Sequence, residues 1–187
     1  RFARSITVLA GGTAVGSALA ALASPLLTRL YAPAEFGVLA VFNSLLLLGL
    51  VVSSACYHQA IPLPASDREA ADLLAVSLAL VAALSMLAVG LVWLAGPLLA
   101  ARTGVPALTV YLWWLPPGLA LSGGYQALKF WAIRRQQFSR IGRIAVFQGT
   151  AKVVLQVALF PLRALGLLLG HLAGQSAGSV SPSALAK

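Results

Sequence analysis

The chain has 187 residues, of which 60% are hydrophobic and 9% charged, and its mean hydropathy is +0.92. Polar surface this scarce cannot cover a water-soluble domain of that length, which predicts lipid as the main solvent. The formal charge of +9 does not signal nucleic acid, because the cations sit mainly between apolar blocks and would be held against a membrane.

Six hydrophobic segments are predicted, and together they define an all-α membrane bundle over residues 1–180 with a non-helical tail at 181–187. The first, residues 6–27, holds no charge and exceeds the ~20 residues a helix needs to cross ~30 Å of hydrocarbon. It is also longer than the ~7–15 residue core of a secretory signal, and more spans follow it. Residues 36–61 form the second segment and 73–99 the third. The stretch between these two carries Pro62, Pro64 and the acids Asp67, Glu69 and Asp72. The fourth, 108–128, has Pro116-Pro117-Gly118 near its middle and is expected to kink there. The fifth is 144–162 and the sixth, weaker, is 165–180. None shows the two-residue alternation of a barrel strand. Lys129 to Arg143 reads as a basic loop with five cations and no acid. It is expected to set topology and meet anionic headgroups, or to collect an anionic substrate.

Lys and Arg counted on alternate sides put Arg1, Arg4, Arg68, Lys129, Arg134, Arg135, Arg140 and Arg143 together, against Arg29, Arg102 and Arg163. This predicts a cytoplasmic amino terminus. Two segments carry small residues every fourth position: Gly12, Gly16, Ala20 and Ser24, then Gly166, Gly170, Gly174 and Gly178. Such ridges let a neighbouring helix approach closely, either for tight packing or as a sliding surface.

Lys152 is the main candidate for function, since a cation inside an apolar helix costs roughly 2.5 to 3.5 kcal/mol and should face protein, water or an anion. Gln148 and Gln156 lie four residues to either side and Arg163 seven beyond Gln156. These four are expected to share one helical face lining a cavity, unless Lys152 snorkels to an interface. Arg29, after a polar face of Thr13, Ser17, Ser24 and Thr28, is either an interfacial anchor or the mouth of an anion path. No catalytic residue, metal site or cofactor is expected. His58 and His171 lie far apart, all four acids lie outside the spans or at their ends, and Cys56 beside His58 reads as a bystander. One cysteine excludes an intramolecular disulfide.

The ordered series Ala10-Gly11-Gly12-Thr13, Ser24-Pro25-Leu26-Leu27-Thr28-Arg29-Leu30-Tyr31 and Ala34-Glu35-Phe36-Gly37 resembles the opening of bacterial polysaccharide-export flippases. These are the Wzx-like oligosaccharide and lipopolysaccharide biosynthesis proteins of the MATE-related exporter superfamily. Ala60-Ile61-Pro62-Leu63-Pro64, Glu69 to Leu74, Phe130 to Arg135 with Phe138, and Gly166 to Gln175 continue the likeness. The resemblance implies one lobe of a two-lobe bundle in the bacterial inner membrane. Its passenger would be a lipid-linked oligosaccharide of the undecaprenyl-diphosphate type, with membrane lipids and other polysaccharide assembly proteins as partners. It also implies cations in a central cavity that meet the diphosphate, with Lys152 and Arg29 as candidates. Cys56-Tyr57-His58 departs from the family's Arg-Tyr-Glu pattern, and six spans are about half of the family's number, so a truncated product is expected. A membrane enzyme of envelope assembly and a drug exporter of the same superfamily stay open as alternatives.

Overall fold

The computed structural model describes residues 2–54, 57–103 and 108–176. The chain is all-α, with no strand among the described residues. The predicted tail 181–187, the end of the sixth segment and Gly178 lie outside the described residues.

Helix α1 spans Phe2–Leu30, with Pro25 inside it. Helix α2, Pro33–Ser54, has proline at its first position, where no backbone N–H is needed. Its start is closed by Glu35, whose carboxylate accepts the Ala32 backbone N–H at 2.7 Å. A single turn, α3, covers Tyr57–Ala60. Helix α4 runs from Asp67 to Thr103. Ser66 caps it, its hydroxyl accepting the Glu69 N–H at 3.2 Å, so the proline-rich stretch 62–64 is followed by a Ser-x-x-Glu helix start.

The fourth predicted segment is corrected. A short helix α5, Leu108–Leu112, ends at a turn through Trp113 and Trp114, and helix α6, Leu115–Arg134, starts with Pro116 and Pro117 in its first turn. The prolines therefore open a helix instead of kinking one, as their fixed φ and missing N–H favour. The basic stretch is corrected as well. Lys129 to Arg134 closes α6, and helix α7 begins at Phe138, leaving a tight turn at Arg135 to Gln137. In that turn Gln136 takes a positive φ of 54°. Helix α7 ends at Ala158, before a 3₁₀ turn at Phe160–Leu162, and helix α8 covers Ala164–Ser176.

Helix α7 lies between α1 and α8, α6 lies between α4 and α8, and α2 packs across α4, α6 and α8. The main core joins Phe42 and Leu46 of α2 to Val92, Leu119, Leu168 and Leu172 from three other helices. A second cluster holds Ala23, Leu27, Tyr31 and Leu167. Small residues make the close approaches. A Cβ added to Gly12 would fall 2.5 Å from the Gly142 carbonyl oxygen, and one added to Gly149 would fall 2.9 Å from the Gly16 Cα. On α8, Gly166 faces Leu159, just past the end of α7, and Gly170 and Gly174 face Gln156 and Lys152 of α7. Both glycine ridges thus serve as packing seams onto the same helix.

Among the described residues two helices are long and apolar enough to cross a membrane, over Pro33–Val52 and Asp67–Gly96. Helix α7 carries Arg140, Arg143, Lys152, Gln148 and Gln156, which dilute its hydropathy.

Candidate functional site: a cleft with a solitary ammonium

Where the Gly12–Gly16 seam gives way to Ala20 and Ser24, a cleft of about 150 Å³ lies between α1, α2 and α7. Leu27, Phe36, Leu39 and Val153 make its apolar walls, and Ser24, Lys152 and Gln156 bring the polar groups. Gly174 leaves room for the Lys152 stem, since a Cβ there would sit 2.6 Å from that of Lys152.

Because α7 starts at Phe138, Lys152 lies about 21 Å from its start and about 9 Å from its end. Its backbone is therefore in the last third of the helix. None of the four acids in the sequence pairs with it. Glu35 lies 3.9 Å from Arg163, and Asp67 serves Arg134 and Arg135, so among the described residues Lys152 has no carboxylate at ion-pair distance.

The predicted polar edge is split between two neighbours. Gln156 is 2% exposed; it lines the cleft while its amide donates to the Leu167 carbonyl at 3.3 Å. Gln148 turns to α8 instead, where its amide donates to the Gln175 carbonyl at 2.6 Å. The reason is angular, because each step of four residues advances about 40° around a 3.6-residue helix, and two steps cross from one packing partner to the next. Arg163 does not extend the edge. It lies beyond the end of α7, at a φ of 51° after Pro161. There, with Leu30, Ala32, Glu35, Phe160 and Pro161, it borders a separate cavity of about 370 Å³. Arg29 is exposed in the last turn of α1 and is not among the residues lining the Lys152 cleft.

Tyr31 ties the end of α1 to α7, its hydroxyl donating to the Gln156 backbone carbonyl. Its ring packs edge-on against Phe36 and Phe160, with centroids 6.3 and 5.7 Å away. Burial, with Glu35 nearby, holds the Tyr31 phenol above its ordinary range, so it remains a neutral donor.

Behind Lys152 lies a polar cluster that the sequence did not reveal. The Ser122 hydroxyl donates to Gln175 Oε1 at 2.8 Å, and Gln175 Nε2 lies 3.0 Å from His171 Nε2. His171 is buried, its Nδ1 has no hydrogen-bond partner, and it lies within the field of the Lys152 charge. The signal available beforehand was His171 and Gln175 at i, i+4 on the glycine-bearing helix. His171 has no acid beside it, and no group of three His, Cys, Asp or Glu residues among those described could hold a metal. The arrangement offers a positive charge in an apolar-walled cleft, which is suited to attracting an anion. Comparison with protein-family models, curated proteins and solved structures found no match for this chain.

Proposed function

We propose that this chain is the amino-terminal half of a bacterial inner-membrane flippase. It would carry a lipid-diphosphate-linked oligosaccharide across the membrane for surface polysaccharide assembly, with Lys152 meeting the diphosphate. The observation that carries the reading is the Lys152 ammonium, which lines an apolar cleft with no carboxylate to neutralise it. A buried cation left unpaired is costly, and an anionic passenger or its accompanying water offsets that cost. The ordered likeness to polysaccharide-export flippases supports the choice of passenger.

The surface supports the membrane setting, and the count of about six spans rests on the apolar segments of the sequence. Helices α2 and α4 bury less than a third of their apolar windows, whereas a core helix of a water-soluble protein is mostly buried. Outward-facing side chains include Leu48, Val51, Leu87, Trp93 and Leu94. Cations gather at the end of the bundle that holds Arg134 and Asp67, and fewer lie at the end with Arg163 and Glu35, which favours a cytoplasmic amino terminus. Transport needs a difference in headgroup affinity between inward and outward states, since only that shifts the equilibrium.

The test is Lys152→Ala in a full-length relative. Surface polysaccharide export should fall about tenfold, the size of one lost charge-assisted contact of ~1.5 kcal/mol, with membrane insertion unchanged. Export at the normal level in an inserted Lys152→Ala protein would remove this lysine from the mechanism.

A further inference from the structure

The α6–α7 turn holds a second basic site, away from the Lys152 cleft. A notch of about 30 Å³ between the end of α6 and the start of α7 is bordered by Lys129, Trp131, Gln137 and Arg140. Gln137 commits its side-chain oxygen to Arg140 Nη1 at 3.3 Å, which turns its NH₂ into a remaining donor. Lys129 has no carboxylate at ion-pair distance among the described residues, and the first turn of α7 contains no acid. Asp67 lies against Arg134 and Arg135 at 2.9 and 3.7 Å. Arg135 in turn lies over the Trp131 ring, 5.3 Å from its centroid.

One wall of the notch is apolar. Leu128, Ile141 and Ile144 line it below the cations, and Phe147, a turn further along α7, is 62% exposed. An anion with an apolar chain attached matches this order of groups, whereas a free phosphate uses only the upper part. We infer that the notch binds the phosphate of an anionic phospholipid headgroup, with the lipid's acyl chain lying along Leu128, Ile144 and Phe147. The inference rests on the membrane setting proposed above and is independent of the passenger in the Lys152 cleft. The site anchors the α6–α7 turn to the anionic leaflet, with Trp131 at headgroup level.

The test reconstitutes the full chain into bilayers of equal parts phosphatidylcholine and phosphatidylglycerol, extracts it, and measures the lipids that stay bound. The native chain should retain phosphatidylglycerol preferentially. Each cation removed should lower the enrichment about fivefold, so Lys129→Gln with Arg140→Gln abolishes it while Lys129→Arg keeps it. Arg102→Gln, at the other end of α4, should leave it unchanged, and excess inorganic phosphate should not displace the lipid. If the double variant fails to insert, Lys129→Gln alone reads the fivefold step. Equal enrichment in native chain and variants, or displacement by inorganic phosphate, overturns the headgroup site while leaving the flippase reading intact. A native chain that does not enter the bilayer overturns both.

Discussion

Asp67 shows how a single exposed residue can register one end of the bundle. Its carboxylate accepts from Arg134 Nε and Nη2 at 3.2 and 2.9 Å, and Arg134 also donates to the Pro64 carbonyl at 2.6 Å. The Arg134 hydrogen bonds first, and the Arg135 charge second, hold the Asp67 carboxyl below the usual carboxylate range. A lowered folded pKa contributes stability above the unfolded value, near 3.9, that is lost as pH falls through the folded value. Protection of the amides at the start of α4 and the end of α6, taken relative to their intrinsic exchange rate at each pH, should therefore fall below about pH 4. Asp67→Asn should show the lower protection already at neutral pH. Protection unchanged across that pH range in the native chain would mean the pair does not join the two helices. Lys152 was legible in the sequence at this scale, since one cation inside an apolar run is conspicuous. His171 was not, because its environment is made by Ser122 and Gln175, one of them on another helix.

At the scale of elements, the sequence revealed the helices better than their ends. Apolar blocks predict where a helix must be, but Arg is a good helix former, so the basic stretch continues α6 to Arg134. The turn that follows has no glycine to announce it, with Gln136 taking the positive φ. The glycine ridges were readable from spacing alone, and their energetics can be separated by position. A Cβ at Gly170 would meet Gln156 Cγ at 2.5 Å and its backbone nitrogen at 2.9 Å, while one at Gly90 meets nothing within 4 Å. Gly170→Ala should thus destabilise the chain by about 1–3 kcal/mol through overpacking. Gly90→Ala should stabilise it by about 0.5–1 kcal/mol through reduced backbone entropy loss. Thermal unfolding in detergent reads both, and a Gly170→Ala midpoint at or above the native one would contradict the α7–α8 approach.

For the whole molecule, orientation is the property that follows from charge and can be measured directly. In a chain whose single cysteine is removed by Cys56→Ser, Ala65→Cys should react with an impermeant maleimide only after the cells are opened. Leu162→Cys should react in intact cells. The reverse pattern would invert the proposed sidedness. What the sequence could not reveal here is which polar residues would meet, since Lys152, Gln148 and Arg163 look equivalent along one line. In the fold they face a cleft, a neighbouring helix and a separate cavity, respectively.

The 37-residue helix α4 is about 55 Å long, and its apolar middle, without the acidic first turns and the end near Arg102, still measures about 40 Å. Set across ~30 Å of hydrocarbon, that middle must lean by about 40°, at the upper edge of what spanning helices adopt, or thicken the lipid around it. A bundle placed in that way, as proposed, would have a built-in sensitivity to bilayer thickness: a thinner membrane would steepen the lean of α4 and drag Asp67, with the arginines it holds, toward the plane of the headgroups.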